Sequence, residues 1–151
     1  MKNQKKIDIK NKKAYYLYEI LETYTAGIQL LGTEIKSIRE GKISFTDSYC
    51  IFLDNELWVK GLHISEYTYA SHYNHEAKRQ RKLLLTKKEL RKLQKKIKEK
   101  GFTIIPLRIF INEKGFAKLD VGLARGKRLF DKREDLKARD NKRNLDRLNR
   151  G

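Results

Sequence analysis

Residues 102–123 read Phe102-Thr-Ile-Ile-Pro-Leu-Arg-Ile-Phe-Ile111, Asn112-Glu-Lys-Gly115, Phe116-Ala-Lys-Leu-Asp-Val-Gly-Leu123. Two apolar runs rich in β-branched and aromatic residues, joined by a short turn, predict two strands. Pro106, the only proline, removes a ladder donor and predicts an edge position or a bulge. Upstream, aromatic-rich 15–24 reads as a strand, Ala26-Gly27 as a bend, and Ile28 to Leu31 as extended chain. Phe45–Leu53 and Leu57–Leu62 flank Asp54-Asn-Glu56 as a hairpin. Gly32–Gly41 reads as a short helix, with Thr33 as N-cap, Ile35 and Ile38 on one face and Gly41 as its stop. His63–Ala77, with three Tyr and three His, reads as an ordered loop. Thr86-Lys-Lys-Glu89 is a capping box, Leu90, Leu93 and Ile97 recur at helical spacing, and Gly101 follows as C′ residue. Five or six short strands with inserted helices predict a small, mainly β, Greek-key or OB-like barrel.

The charge lies outside that pattern. Of 151 residues, 36 are Lys or Arg and 19 are Asp or Glu, a net +17. Residues 1–13 carry six Lys and one Asp, 78–100 carry twelve bases and two acids, and 125–151 carry eleven bases and five acids. The remainder is slightly acidic. Three basic runs around a near-neutral core predict a polyanionic partner, with nucleic acid first. The expected division is a basic arm over 1–13, a barrel over 14–124 and a basic tail over 125–151. The tail has no coherent hydrophobic face and is expected to be disordered when free. No apolar run approaches membrane-spanning length, and Met1–Lys6 leads into no apolar segment, so a cytoplasmic chain with no membrane partner is expected.

Catalytic chemistry finds little support. Cys50 is the only cysteine, so an intramolecular disulfide or a cysteine-built zinc site is excluded. His72 and His75 stand three apart beside Glu76, but lack the HExxH spacing and a convincing third ligand. Gly122-Leu-Ala-Arg-Gly126 lacks the Lys-Ser/Thr of a phosphate-binding loop. No enzyme, metal or cofactor is expected; a small RNA-processing enzyme using the His72/His75 loop is the rival from another class. Of Tyr15, Tyr16, Tyr18 and Tyr24, one exposed ring beside Lys12 and Lys13 could stack on an unpaired base.

An ordered series carries a resemblance: Asn11-Lys-Lys-Ala14, Ala26-Gly27-Ile28, Gly32-Thr-Glu-Ile-Lys-Ser-Ile-Arg39, Gly41-Lys42, Asp47-Ser-Tyr49, His63-Ile64, Arg79 through Leu85, and Gly126-Lys-Arg-Leu-Phe-Asp-Lys-Arg-Glu134. Together these resemble the bacterial SsrA-binding (small protein B, SmpB) family over about residues 11–151. The resemblance implies an antiparallel OB-like β-barrel with about three helices that binds the tRNA-like domain of transfer-messenger RNA (tmRNA). It implies trans-translation: delivery of alanyl-tmRNA, with elongation factor Tu and GTP, to stalled ribosomes. The barrel would stand in for an anticodon arm, and the tail would enter the decoding centre and empty mRNA channel. A monomeric RNA-binding adaptor is therefore expected, with an OB-like ribosomal or single-stranded RNA-binding protein as alternative.

Carried over by position, Asn11 and Leu84 match family positions implicated in tmRNA binding. The expected RNA-binding set is Asn11, Lys12, Lys13, Tyr16, Arg79, Arg81, Lys82 and Leu84. The expected ribosomal set is Asp131, Lys132, Arg133, Lys137, Arg139, Lys142 and Arg143, of which the first three match the family's D-K-R motif. Two positions depart from the family: Thr25 stands where an acidic residue is usual, and Tyr16 where some members carry histidine. Helix 86–100 could face either tmRNA or the ribosome.

Overall fold

The structure, a computed structural model, describes residues 6–70, 73–99 and 101–127. Strand β1 (Asp8–Lys10) leads into helix α1 (Lys12–Leu17), strand β2 (Tyr18–Ile28) and helix α2 (Gly32–Arg39). Then come β3 (Ile43–Ser44), β4 (Tyr49–Leu53), β5 (Glu56–Lys60), β6 (His63–Ile64) and β7 (Arg81–Leu84). Helix α3 (Lys87–Ile97), β8 (Phe102–Ile111) and β9 (Ala117–Gly126) complete the described chain. All pairings are antiparallel, in the order β1-β8-β4-β5-β7-β2-β9, and β8 also pairs with β9. That last pairing closes six strands into a ring, with β1 added outside β8 and β3–β6 forming a separate small ladder. The ring is the expected OB-like barrel.

Each ring strand turns alternate residues inward. Leu57 and Val59 of β5, Leu83 of β7, Ala26 and Ile28 of β2, and Leu119, Val121 and Leu123 of β9 fill one core. Its two ends are closed by helices: α2 contributes Ile38 and α3 contributes Leu90 and Leu93. The capping box forms as expected, Thr86 Oγ1 accepting from Glu89 N–H (3.1 Å) and Glu89 accepting from Thr86 N–H (3.0 Å). Asp54 and Asn55 both have positive φ, the backbone of a tight two-residue hairpin turn.

Pro106 marks a bulge in β8. Pro106 faces Val121 and Arg108 faces Asp120, so Leu107 is the extra residue. The bulge changes which parity points inward: Ile104 lies in the core before it and Ile109 after it. Without it Arg108 would face the core. Leu107 instead turns outward and joins Ile105, Ala124 and Ala14 of α1 in a second, smaller cluster. Gly122 makes room there, because a Cβ would come within 2.8 Å of Leu107 Cδ1.

Several local expectations are corrected. Tyr15 and Tyr16 belong to helix α1, not to a strand; a six-residue helix is too short to show periodicity, and its tyrosines favour strands. Ala26-Gly27 lies within continuous β2, whose irregularity falls instead between Ile20 and Glu22. The α2 N-cap is Leu31; Thr33 is inside the helix. Phe45–Ser48 turns rather than extending, with Asp47 at φ 61. Gly101 lies beyond the α3 cap, Lys98, and at φ 91 turns the chain toward β8. β1 and most of the α1 start fall in the stretch read as a basic arm, and β9 continues to Gly126.

Gly61 has the least freedom to change. It sits at φ 74, and a Cβ there would lie 2.5 Å from the Asp47 carbonyl oxygen. A Gly61→Ala variant is expected to lose about 2–3 kcal/mol through strain and overpacking. Thermal unfolding checks this, and an unchanged Tm would refute it.

Candidate nucleic-acid interface

The register assembles one outer face across β7, β2, β9, β8 and β1. Leu84 pairs with Gly27, Thr25 with Asp120, Asp120 with Arg108, and Asp8 and Lys10 flank the pairing of β1 with β8. Leu84 is 47% exposed while Leu83 beside it is fully buried, so Leu84 points outward. A polar row crosses the face: Thr25 donates to Asp120 Oδ1 (2.6 Å), and Arg108 lies 3.3 Å from Asp120 Oδ2 and 3.4 Å from Asp8 Oδ2. The Arg108–Asp120 approach has ion-pair distance without hydrogen-bond alignment. The Arg108 guanidinium also stacks 4.1 Å from the Phe110 ring centre.

Helix α1 lies on the same outer face, seated by Ala14 on Ile105, Leu107 and Ala124. Its start is pinned by Asn11, whose backbone N–H donates to the Leu107 carbonyl (2.7 Å) and whose Nδ2 donates to the Pro106 carbonyl (2.8 Å). Lys12 and Lys13 follow, exposed, and Tyr16 is half-buried on the helix. Lys10, Asn11, Lys12 and Lys13 border a cleft of about 420 Å³ whose walls include Ile9, Ile105 and Phe45. Neither Lys12 nor Lys13 forms an ion pair with a described residue. The structure thus seats Asn11, Lys12 and Lys13 together outside β8 and β9, while Leu84 stands on the outside of β7 beside Gly27. Lys82, also of β7, is held 3.8 Å from Glu56.

Arg81 is corrected. Expected to meet phosphate, it is fully buried and engaged within the protein. Its Nε donates to Glu34, Nη1 donates to the Leu62 carbonyl (2.8 Å), and Nη2 to the Ala77 carbonyl (3.1 Å). Arg79 donates to Glu34 Oε1 (2.7 Å) and Oε2 (3.2 Å) and stays about one-third exposed, so most of its charge is committed inside. Sequence reasoning missed Glu34, the buried acid that binds both. Burial would raise its carboxyl, but hydrogen bonds from Arg79, the Leu31 N–H and Arg81 outweigh that and hold it below the ordinary range.

His75 is also structural. Its Nε2 donates to the Ile64 carbonyl (2.8 Å), which leaves Nδ1 to accept from Thr33 Oγ1 (2.9 Å) in the neutral ring. Both nitrogens are occupied and the ring is buried, which weighs against its use as ligand or catalyst. His72 lies outside the described residues. Cys50 is buried, and burial pushes its thiol pKa up, as suits an unreactive core residue.

Helix α3 closes the end of the barrel where β9 finishes. Lys92 reaches Glu22 of β2 (3.7 Å), Gln94 donates to Asn55 in the β4–β5 turn (3.0 Å), and Lys127 N–H donates to the Leu17 carbonyl (3.0 Å). Lys87, Lys88, Arg91 and Lys95 are exposed on α3. The expected ribosomal residues Asp131, Lys132, Arg133, Lys137, Arg139, Lys142 and Arg143 lie outside the described residues.

A family model described as SmpB protein matches residues 8–151. The chain belongs to the SmpB family. The SsrA-binding protein of Phocaeicola vulgatus is 62% identical over 142 residues, covering 94% of this chain and 95% of that one. The SsrA-binding protein of Bacteroides thetaiotaomicron is 57% identical over 145 residues, covering 96% and 97%. A solved structure described as "tmRNA-SmpB: a journey to the center of the bacterial ribosome" matches with TM-score 0.70 and 49% identity, covering 86% of this chain and 94% of that chain. SmpB membership agrees with the order of motifs read along the chain. At the departing position, Thr25 is exposed and its hydroxyl is directed to Asp120 on the neighbouring strand.

The Glu34 network sets an acid limit on this SmpB fold. Because the folded carboxyl titrates below its unfolded value, its contribution is present above the unfolded pKa and is lost as pH falls through the folded one. Glu34→Gln leaves buried Arg81 without its counter-charge, and a loss of about 3–5 kcal/mol is expected. Denaturant unfolding at neutral pH measures it, and the variant's pH profile below the ordinary carboxylate range should flatten. An equally stable variant would overturn this account.

Proposed function

We propose that the chain is the RNA-binding adaptor of trans-translation: it binds the tRNA-like domain of tmRNA and helps deliver it to stalled ribosomes. The observation that carries this reading is SmpB membership across residues 8–151, with a 49%-identical solved relative described as a tmRNA-SmpB assembly at the bacterial ribosome. The chain itself supplies binding and shape, with no chemistry of its own. Asn11, Lys12, Lys13, Tyr16 and Leu84 form the tmRNA face, with Arg79 and Lys82 at its margin. Exposed lysines there can neutralise phosphate and release counterions, while Leu84 and the α1 surface match the contour of a folded RNA. Arg81 holds that face from within.

The α3 end serves the ribosome. β9 finishes beside α3, so Arg125 and Lys127 stand at the same end as the exposed cations Lys87, Lys88, Arg91 and Lys95, and the basic sequence of 125–151 continues from there. That end suits a channel walled by rRNA, and Asp131, Lys132 and Arg133 would act there after RNA binding. Elongation factor Tu with GTP joins through alanyl-tmRNA, and the protein works as a cytoplasmic monomer.

Two measurements test the division. Lys12→Ala with Lys13→Ala should weaken binding to the tRNA-like domain and reduce the slope of log K against log salt by about two. A chain ending at Lys127, which keeps all of β9, should retain that binding yet fail to support transfer of the nascent peptide to tmRNA. An unchanged slope would remove the lysines from the interface. Loss of tmRNA binding by the folded, shortened chain would end the division of labour.

A further inference from the structure

Between β6 and β7 the chain crosses the α2 end of the barrel in a loop that presents tyrosines to solvent. Tyr67 and Tyr69 meet edge to face, ring centres 5.6 Å apart and planes inclined at 69°. Tyr69 is 78% exposed. The Lys36 ammonium of α2 lies 5.4 Å from the Tyr67 ring centre. An aromatic pair on a surface loop would ordinarily fold its rings onto the core to remove them from water. Here Tyr67 is half-buried and Tyr69 is left in solvent.

Asn74 holds the loop. Its Oδ1 accepts from Tyr67 N–H (3.1 Å) and from His75 N–H (3.1 Å), while its Nδ2 donates to the Tyr67 carbonyl (2.9 Å). His75, buried and bonded to Thr33 and Ile64, anchors the far side. The loop is therefore braced at both ends, and the rings are displayed on a fixed base. Preorganisation of this kind lowers the ordering cost of binding.

We propose that Tyr67 and Tyr69, with Lys36, form a stacking platform for unpaired nucleobases, a second RNA contact beyond the outer sheet face. Every base has a π face, so an aromatic ring accepts one without regard to sequence, and a neighbouring ammonium attracts the adjoining phosphate. The Lys36 ammonium beside the Tyr67 ring selects this occupant, because it offers one cation to a phosphate next to a ring that can take a base. The platform sits at the α2 end, away from the α3 end where β9 finishes.

The test uses the full chain and a short single-stranded oligoadenylate containing 2-aminopurine, whose fluorescence is quenched on stacking. The native protein should quench the probe on binding. Tyr67→Ala with Tyr69→Ala should weaken binding about tenfold per stacked base and abolish the quench. Tyr67→Phe with Tyr69→Phe, which keeps the π faces, should retain both. The same variants should leave affinity for the tRNA-like domain unchanged, so a failure of the platform is separable from a failure of the adaptor reading. Probe binding and quench unaffected by the Ala pair would overturn the proposal. So would a loss of ribosome association with probe binding unaltered, which would instead identify a protein-docking patch.

Discussion

The buried carboxylate of Glu34 is the constraint around which the rest is arranged. It sits at the start of α2, where it accepts from the Leu31 N–H that the helix leaves unpaired, and it holds Arg81 and Arg79 at once. Arg81 then spans to the carbonyls of Leu62 and Ala77, tying β7, the segment after β5 and the braced loop to one helix. Burying an ion pair costs several kcal/mol per ion, so the network adds little net stability over apolar packing. Its effect is geometric. With Arg81 and Leu83 both turned inward, Lys82 and Leu84 have only the outer face to occupy.

The distribution of charge follows the same logic at larger scale. Much of the charge on the strands is compensated: Glu19 with Arg125, Asp120 and Asp8 with Arg108, Glu56 with Lys82. Among the described residues, cations without an acidic partner are densest on α3, with Lys87, Lys88, Arg91 and Lys95 exposed; Lys12 and Lys13 of α1 add two, and Lys10, Lys60 and Lys118 stand singly in strands. A like-charged surface destabilises a compact chain by self-repulsion, and a polyanion relieves it. The excess is therefore tolerated where partners are proposed to approach.

Much of this was legible beforehand. The Thr86–Glu89 capping box, the hairpin turning at Asp54-Asn55 and the irregularity at Pro106 are local signals, set by a cap, a turn and a missing donor, and each is present, although the hairpin strands are shorter than the expected 45–53 and 57–62. Helix α1 was not legible, because six residues with two tyrosines carry no helical period and tertiary pinning decides their conformation. Arg81 was hidden by its neighbours. It stands in a run of twelve bases, yet in a strand it shares a face with Leu83, and that alternation was the available clue. Its partner Glu34 is forty-seven positions away, beyond the reach of any periodicity. The outer face, too, is a product of register, which places Leu84 against Gly27 and Thr25 against Asp120.

The bulge at Leu107 shows how a local defect becomes a functional position. Proline at 106 cannot donate to the ladder, the strand gains a residue, and the carbonyls of Pro106 and Leu107 become available on the side toward β1. Asn11 supplies a donor to each, from its side-chain amide and its backbone. That double contact sets where α1 begins, and Lys12 and Lys13 take their direction from it. Asn11 is thus a structural residue before it is a contact residue. Replacing it with Ala removes one bond of about 1 kcal/mol, too little to unfold the barrel. It also loosens the lysines that follow, so an Asn11 variant can lose RNA affinity without any base or phosphate having touched the amide.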